Sequence, residues 1–342
     1  MRSIDAAKKK IAFWTPYLYS KRGNSTTARR IVAGLQYEGY EVEVFAYTED
    51  PWNDGSRERM DDCDILHILH FYRFVSWQKE NNYQINKPYL LTSGGTDVHQ
   101  NIDNHLQRKK MKELITNADA VTVFTNEAAD ILKSMYPIQE DRVFVIPQSV
   151  WIPDKVKQKS FKLREGYPNI LLPAGLRAVK DVFCVFEALK LLQVRYPMLK
   201  FTIVGEPLEE DVYEEVRKHQ EIYSWFDYIR GVPLSSMYEL YDWADIVINT
   251  SHSEGQPLTL MEAMNAGKPV IARSNAGNES LIEDKVDGFI YHNPDEFMKY
   301  VLQLISNKNL YRQISNHAKQ KASTKFSLDR EIKQYEQIYQ TL

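Results

Sequence analysis

Short apolar runs alternate with longer amphipathic stretches along almost the whole of this 342-residue chain. Apolar runs of four to six residues predict buried strands, and apolar positions three and four residues apart predict helices. In the first half we expect strands at Ile11–Thr15, Val42–Tyr47, Ile65–His70, Pro88–Thr92, Ala120–Thr125 and Arg142–Ile146. In the second half we expect them at Asn169–Ala174, Phe201–Val204, Tyr228–Gly231, Ile246–Asn249 and Val270–Arg273. Helices are expected between the strands, among them Ser25–Glu38, Asp103–Asn117 and Glu127–Tyr136.

A polar stretch at residues 153–166 interrupts this alternation and divides the chain. Repeated strand–helix units predict a parallel sheet covered by helices on both faces, so the α/β class is expected twice. We place one Rossmann-like, doubly wound domain over residues 1–150 and a second over residues 151–325, facing each other across a cleft. The polar helix Asp329–Tyr339, within residues 326–342, is expected to pack back on the first domain. Ligands of such domains bind at the carboxyl ends of the strands.

Two carboxylates, Glu254 and Glu262, stand eight positions apart across a predicted loop-to-helix junction. Pro257 suits the first turn of the helix, and Gly267 is a natural C-terminal stop. The backbone N–H groups near Leu258 and Thr259 then lack intrahelical partners at the positive end of a helix, where a phosphate binds readily. This arrangement fits a diphosphate at the helix start, a sugar near Glu254 and a ribose near Glu262. Taken alone, each carboxylate also fits an ordinary charge at a helix end or on a helix face.

A second polar segment, Ala174–Asp181, directly follows the first predicted strand of the second half. Arg177 and Lys180 would clamp a diphosphate from one side, the arginine as a planar fork and the lysine as a point charge. A solvated loop is the alternative for this segment taken alone. Both this segment and the loop before Pro257 follow strands of one sheet, which favours a shared anion site.

In the first half, the segment Gly23–Arg29 opens the first predicted helix. Gly23 permits close approach of a ligand to the backbone, and Asn24 or Ser25 would cap the helix. The G-x-G-x-x-G fingerprint of dinucleotide-binding domains is absent. Plain helix capping is the alternative.

The segment Thr92–His99, with its Gly94-Gly95-Thr96-Asp97 core, follows another predicted strand of the first half. We interpret it as an acceptor-side loop in which Asp97 makes a polar contact; a turn capped by Asp97 is the alternative. His70 ends a predicted strand and precedes Arg73. A buried or rim histidine is the alternative to a site residue there.

The amino-acid composition limits the kinds of partner that the protein is expected to bind. The 43 basic and 46 acidic residues nearly balance, so nothing calls for DNA as a partner. Cys63 and Cys184 have no metal-type spacing, which favours a reducing, cytoplasmic setting. No apolar run approaches 18 residues, and the first ten residues do not resemble a signal peptide.

The acidic run Asp61–Asp64 precedes a strand, so no metal is assigned to it. The basic run Arg108–Lys112 is interpreted as a solvated face, with weak contact to a membrane surface or an RNA acceptor as the alternative.

Together these residues resemble the retaining family 4 glycosyltransferases, which have the GT-B fold of two Rossmann-like domains. Glu254 and Glu262 match the E-x7-E motif of that family, and Arg177 and Lys180 match its diphosphate-binding pair. Gly205, Gly231, the segment Gly267–Val270 and Gly277-Asn278-Glu279 follow in the expected order. The motifs are most similar to those of the group of glycosyltransferase 1 domain-containing protein 1, at Gly23–Ala28, Leu69–Arg73, Gly94–Val98 and Gly175–Asp181. Pro257 replaces a usual glycine, and a usual Gly-Gly-x-x-Glu stretch is shortened to Ala276–Glu279.

The resemblance implies a metal-independent hexosyltransferase that moves a sugar from a nucleotide-diphosphate donor with retention, by front-face displacement and with no other cofactor. A UDP-sugar is favoured as the donor over GDP-mannose, and the acceptor and oligomeric state are open. Arg177, Lys180 and Glu254 are then catalytic, and His70, Arg73, Gly95, Thr96 and Asp97 lie on the acceptor side. The residues expected to bind the nucleotide-sugar donor are Gly23, Asn24, Gly205, Gly231, Gly255, Gln256, Pro257, Leu258, Thr259 and Glu262. A GT-B nucleotide-sugar epimerase and a non-catalytic nucleotide-sugar-binding protein remain alternatives.

Overall fold

The structure, a computed structural model, describes residues 8–20, 23–99, 105–151, 161 and 163–342. The chain divides into two compact units. The first unit comprises Met1–Gln148 and Leu328–Leu342, and the second comprises Ser149–Ser327. The division at Gln148 lies next to the boundary expected at residue 150.

The first unit is built on a six-stranded sheet in the order β2-β1-β3-β4-β5-β6, with every neighbouring pair parallel. Its strands are β1 (Ile11–Thr15), β2 (Val42–Ala46), β3 (Ile65–Leu69), β4 (Tyr89–Thr92), β5 (Ala120–Val123) and β6 (Val143–Val145). The helices between them are α1 (Gly23–Tyr37), α2 (Asp54–Asp61), α3 (Phe71–Glu80), α4 (Thr96–His99), α5 (His105–Thr116) and α6 (Asn126–Met135). The chain reverses its direction of travel across the sheet between β1 and β3.

The second unit repeats this plan with the strand order β12-β11-β10-β7-β8-β9, again parallel throughout. Its strands are β7 (Asn169–Pro173), β8 (Lys200–Gly205), β9 (Phe226–Arg230), β10 (Ile246–Asn249), β11 (Val270–Arg273) and β12 (Phe289–Tyr291). Its helices are α7 (Phe186–Arg195), α8 (Glu210–Ile222), α9 (Leu234–Trp243), α10 (Leu258–Asn265), α11 (Ala276–Leu281), α12 (Pro294–Ser306) and α13 (Lys308–Lys325). The reversal lies between β7 and β10. Each reversal leaves a crevice at the carboxyl ends of two adjacent strands, where α/β sheets bind ligands.

The last helix, α14 (Leu328–Thr341), belongs to the first unit and packs on α1. Gly34 permits this approach, because a Cβ there would lie 2.5 Å from a side-chain carbon of Ile332. A fully buried ion pair joins the two helices: Arg30 Nε donates to Glu331 Oε2 at 2.9 Å, and Arg30 Nη2 donates to Oε1 at 3.0 Å. The helix therefore completes the core of the first unit.

The expected strands all form, with ends shifted by one or two residues; β9 begins at Phe226 rather than Tyr228. The apolar pattern did not predict β12, a three-residue edge strand at Phe289–Tyr291. All three of its side chains are buried, so it lacks the alternation that would mark a half-exposed strand. In each unit, buried aliphatic and aromatic side chains fill the layers on both faces of the sheet.

Candidate active site

The crevice between β7 and β10 in the second unit gathers the polar segments singled out from the sequence. Arg177 and Lys180 follow β7, and the loop carrying Glu254 follows β10 and leads into α10. Pro257 is the residue before the helix, and no side chain of the described residues caps it. The first intrahelical bonds come from the N–H groups of Leu260 and Met261 to the Pro257 carbonyl. The N–H groups of Leu258 and Thr259 precede these bonds, so the start of α10 can accept an anion.

Glu254 is held by three donors on a single carboxylate oxygen. Lys180 Nζ donates to Oε1 at 2.5 Å, Ser251 Oγ at 2.7 Å and Asn249 Nδ2 at 3.0 Å. The side chains of Lys180 and Glu254 are 15% and 13% exposed, so the pair is largely removed from water. Burial alone would raise the pKa of the Glu254 carboxyl, but Lys180, with Ser251 and Asn249, holds that pKa below its ordinary value. Glu254 is therefore ionised at neutral pH, with Oε2 left without a donor among the described residues.

Arg177 lies on the same loop as Lys180 but is placed differently. Its guanidinium makes no hydrogen bond or ion pair with the part of the chain that the structure describes, and its Nε is buried without a partner. A buried donor without an acceptor costs free energy, and in native structures such a group often marks a place where a ligand binds. Arg177 thus supplies uncompensated positive charge beside the Lys180–Glu254 pair.

Glu262 lies inside α10 and is 5% exposed. The fully buried Tyr241 of α9 donates its hydroxyl to Glu262 Oε2 at 2.6 Å. Burial, with the Glu262 carboxylate beside it, raises the pKa of Tyr241 well above its ordinary value, so the phenol stays a donor. The carboxylate is therefore held in one orientation rather than lying on an exposed helix face.

Two glycines on this side of the sheet allow close backbone approaches. A Cβ at Gly205, the last residue of β8, would lie 1.9 Å from the Ala174 carbonyl oxygen. A Cβ at Gly231, after β9, would lie 2.5 Å from the Glu206 carboxylate. Gly205 therefore needs to be glycine because it faces backbone, whereas a side chain at Gly231 would displace only the flexible side chain of Glu206. Gly255 and Gln256 lie in the loop between Glu254 and Pro257, partly exposed.

Sequence reasoning missed several polar side chains that build this site. Asn249 and Ser251 hold Glu254, Tyr241 holds Glu262, and Asn278 donates to Asn249. A further cluster joins Asp181 Oδ2 to Arg273 Nη1 at 2.7 Å and to His252 Nε2 at 3.1 Å. Asn249 and Ser251 were open to detection, because they stand at the end of a strand directly before Glu254. Asn278 lies in the Gly277-Asn278-Glu279 segment that the resemblance singled out, but its contact with Asn249 had no sequence signal, and Tyr241 had none at all.

The acceptor-side residues of the first unit lie at the carboxyl ends of β3 and β4. Asp97 is fully buried: its Oδ1 accepts from Ser93 Oγ at 2.9 Å and Gly94 N at 3.0 Å, and its Oδ2 accepts from Phe71 N at 2.8 Å. Asp97 therefore braces the Gly94 loop and the start of α3, and its contact with an acceptor stays a prediction.

His70 is buried at the start of α3 with a φ of 75°, and its Nδ1 lies 3.6 Å from Asp97 Oδ2. Burial lowers the pKa of His70 although the Asp97 carboxylate opposes that change. A Cβ at Gly94 would lie 2.6 Å from the His70 ring, so the loop closes over the imidazole. Arg73 is exposed and donates to the Tyr17 hydroxyl at 2.9 Å. Gly95 has a φ of 90°, and Thr96 begins α4, its side chain lying outside the described residues.

Three further segments of the first unit were singled out from the sequence: the start of α1, the acidic run and the basic run. Helix α1 begins at Gly23, so Asn24 and Ser25 lie in its first turn rather than before it. Asp62 pairs with Lys10 at 2.8 Å, and Asp64 accepts from the Lys10 backbone at 2.7 Å. In the basic run, Lys109 and Lys112 are exposed, whereas the side chains of Arg108 and Lys110 lie outside the described residues.

Metal-binding clusters and membrane spans are absent from the described part of the chain. Across the described ranges, no group of three or more histidine, cysteine, aspartate or glutamate side chains is arranged to hold a metal ion. No helix in that part of the chain is both long and apolar enough to span a membrane.

Comparison with known proteins finds a family match within the second unit. Residues 154–321 match the family model described as glycosyl transferases group 1. The chain is 25% identical over 338 residues to glycosyltransferase 1 domain-containing protein 1 of Xenopus tropicalis, covering 95% of each chain. It is 26% identical over 196 residues to EpsD of Bacillus subtilis, covering 54% of this chain and 49% of EpsD.

Solved structures with this architecture are similar over almost the whole chain. HepE of Anabaena, crystallised with UDP-glucose, superposes with a TM-score of 0.77 at 16% identity, covering 98% of this chain and 100% of HepE. Sucrose-phosphate synthase of Thermosynechococcus elongatus superposes with a TM-score of 0.78 at 14% identity, covering 98% and 99%. These likenesses concern the fold, and they confirm the expected α/β class with GT-B architecture.

Proposed function

We propose that this chain, a glycosyltransferase whose residues 154–321 form a group 1 glycosyl transferase domain, moves a sugar from a UDP-sugar to an acceptor with retention of anomeric configuration. The observation that carries the proposal is the charge arrangement between β7 and β10. The Arg177 guanidinium has no hydrogen bond or ion pair with the described residues, Lys180 is fixed on Glu254, and the start of α10 lies at the end of the Glu254 loop. UDP is preferred over GDP because HepE was crystallised with UDP-glucose and with UDP.

The proposed reaction needs charge stabilisation more than protein acid–base chemistry. The bond between the anomeric carbon and the diphosphate oxygen breaks, and the acceptor oxygen bonds to the same face of that carbon. The departing diphosphate oxygen takes the proton of the acceptor hydroxyl, so atoms and charge balance. Arg177, Lys180 and the N–H groups of Leu258 and Thr259 then stabilise the charge that develops on the diphosphate, a role that pre-positioned donors fill well.

The two carboxylates bind the two parts of the donor on either side of the diphosphate, the sugar and the ribose. Glu254 Oε2 accepts from a hydroxyl of the sugar, while Oε1 stays on Lys180. Glu262, oriented by Tyr241, accepts from the ribose hydroxyls. Arg177 and Lys180 supply the positive charge that Mg²⁺ would otherwise bring to a diphosphate, so we propose that transfer is metal-independent.

The first unit is proposed to select the acceptor. Arg73 is exposed near the carboxyl ends of the strands, and Asp97 acts indirectly, by fixing the Gly94–Gly95 loop and the start of α3 around His70. In this proposal a change at Asp97 alters transfer to the acceptor more than donor binding.

A donor panel tests the function. The full chain is incubated with UDP-glucose, UDP-N-acetylglucosamine, UDP-galactose and GDP-mannose, with and without candidate sugar, lipid and polyol acceptors, and both nucleotide release and glycosylated product are measured. The proposal expects acceptor-stimulated release of UDP with an α-linked product from an α-linked donor. Release of an isomerised nucleotide sugar would favour an epimerase, and tight binding without turnover would favour a non-catalytic binding protein. An inverted product would refute retention.

A further inference from the structure

Asn278 and Asn249 form a buried amide relay that ends on Glu254. Asn278 is 0% exposed and Asn249 is 4% exposed. Asn278 Nδ2 donates to Asn249 Oδ1 at 3.1 Å, and Asn249 Nδ2 donates to Glu254 Oε1 at 3.0 Å. The relay therefore runs from α11, across the end of β10, to the carboxylate that the proposed function places on the donor sugar.

The hydrogen bonds fix the orientation of both amides. Asn249 Oδ1 also accepts from the Ser251 backbone N–H at 3.0 Å, so its nitrogen must face Glu254. Asn278 Nδ2 also donates to the Arg273 carbonyl at 2.8 Å, so turning this amide would set its oxygen against two acceptors. Turning the Asn249 amide would lose three hydrogen bonds, and turning the Asn278 amide would lose two. The fold therefore fixes the position of Asn249 Nδ2, which donates a hydrogen bond to Glu254.

Asn278 carries an unsatisfied atom in this arrangement. Its Oδ1 is buried and has no hydrogen-bond partner among the described residues. A buried acceptor without a donor destabilises the fold, and an apolar side chain of similar size would avoid that penalty. The advantage of asparagine at this position therefore lies in its Nδ2, which reaches Glu254 only through Asn249.

The backbone of Glu254 is fixed from the same helix. A Cβ at Gly277, directly before Asn278, would lie 2.3 Å from the Glu254 carbonyl oxygen and 2.7 Å from the Glu254 Cβ. The start of α11 therefore packs directly on Glu254. The shortened segment Ala276–Glu279 holds the main chain of Glu254 by contact and its carboxylate by the relay.

We propose that Asn278 is a positioning residue of the donor site, which acts through Asn249 to keep Glu254 Oε1 on Lys180 and to present Oε2 alone to a hydroxyl of the donor sugar. This inference rests on the proposed function for the identity of the ligand. Glu254 Oε2 is then a charged hydrogen-bond acceptor that points in one direction. A nucleotide sugar binds more tightly because of it only when a hydroxyl of its sugar lies there. UDP, which lacks the sugar, gains nothing from it.

The test compares Asn278→Ala with Asn169→Ala in the full chain. Asn169 is a matched control in the same unit: it is 9% exposed, lies at the opposite end of the same sheet, and donates Nδ2 to the Trp243 carbonyl at 3.2 Å. Calorimetric titrations with UDP and with UDP-glucose are carried out on both variants and the wild type. Asn278→Ala is expected to weaken UDP-glucose binding about tenfold, as for one hydrogen bond to a charged group, while UDP affinity stays within about twofold. Asn169→Ala should change neither.

A second readout needs no ligand. The pKa of the Glu254 carboxyl is followed by ¹³C NMR in the free proteins, and it should rise in Asn278→Ala and in Asn249→Ala but not in Asn169→Ala. Asn249→Ala removes the amide that touches Glu254 directly and serves if Asn278→Ala does not fold. An unchanged Glu254 pKa, or an unchanged ratio of UDP-glucose to UDP affinity in Asn278→Ala, would overturn the inference. A wild type that binds neither nucleotide would refute the proposed function, while the NMR comparison would still decide the positioning role.

Discussion

Arg177→Ala and Lys180→Ala should damage different properties of the protein, although both residues serve the same proposed anion site. Lys180 Nζ lies 2.5 Å from Glu254 Oε1, and the two side chains are only 15% and 13% exposed. Arg177 has no ion pair among the described residues, and its Nε is already without a partner. Removing Lys180 leaves a largely buried carboxylate unpaired, whereas removing the Arg177 guanidinium breaks no hydrogen bond or ion pair with the described residues.

The expected magnitudes follow from this difference. Loss of one partner of a buried ion pair costs about 3–5 kcal/mol, and we expect about 3 kcal/mol for Lys180→Ala because some solvent reaches the pair. Arg177→Ala should leave the free energy of unfolding within about 0.5 kcal/mol of wild type. Its effect should fall on transfer, with turnover lowered ~10²-fold or more, in the range for removal of one pre-positioned donor.

The loss of stability in Lys180→Ala should depend on pH. In the wild type the pKa of the Glu254 carboxyl lies below its ordinary value, so its contribution is present above the unfolded-state pKa and is lost as the pH falls through the folded-state pKa. Without Lys180, only Ser251 and Asn249 oppose the effect of burial, so the folded-state pKa of the Glu254 carboxyl should rise. The difference between the two proteins should therefore be largest near neutral pH and shrink as the pH falls below about 4.3, the pKa of an unperturbed glutamate.

Urea denaturation of the full chain at pH 7 and pH 4, with turnover measured on the same preparations, decides the matter. Lys190→Ala is the control, because Lys190 pairs with Glu187 at 2.9 Å on an exposed helix face, where loss of an ion pair changes stability little. Equal destabilisation by Arg177→Ala and Lys180→Ala would refute the reasoning. So would a Lys180→Ala protein as stable as the control, or near-wild-type transfer by Arg177→Ala.

Three further outcomes are expected. Glu262→Gln should weaken binding of UDP about tenfold, because it loses charge-assisted acceptance from the ribose hydroxyls, while a 2′,3′-dideoxy nucleotide binds both proteins equally; unchanged UDP affinity in calorimetry would contradict the ribose assignment. Transfer should persist in excess EDTA, and a loss of activity that Mn²⁺ or Mg²⁺ restores would show that a metal takes part. Asp97→Asn should lower transfer to the acceptor and loosen the loop at Gly94, seen as faster amide hydrogen exchange, with UDP affinity within about 0.5 kcal/mol of wild type; a loss of UDP binding would place the donor in the first unit.

The strand–helix pattern was sufficient to predict both sheets and the loops that carry the candidate chemistry. A parallel sheet places the ends of successive strands on one edge, so a polar segment that follows a strand must lie there. This is why the sequence alone assigns Arg177 and Glu254, 77 positions apart in the chain, to one site. The edge strand at Phe289–Tyr291 was missed because three buried residues give too short a pattern to separate a strand from a loop.

Partnerships between side chains could not be predicted in the same way. Local pattern gives the face on which Asp97 lies, but not that Ser93, Gly94 and Phe71 occupy its oxygens. Similarly, Glu262 looks like one residue of an amphipathic helix until the fold brings Tyr241 of the preceding helix onto it. Contacts of this kind depend on how the helices pack on the sheet. Different sequences achieve the same packing with different residues, so the pattern alone does not predict the partners.

The contrast between Arg177 and Lys180 also bears on how the proposed site would work. An ammonium group has three donors, and Glu254 occupies one of those on Lys180, so Lys180 is fixed in place with donors to spare for a phosphate oxygen. A donor held in advance costs little reorganisation when charge develops on the leaving group. The Lys180–Glu254 pair is neutral as a whole, so the net attraction for a diphosphate falls to Arg177 and the start of α10. Both cations are thus assigned to leaving-group stabilisation, but Arg177 also supplies the net attraction for the diphosphate, a difference that only the structure shows.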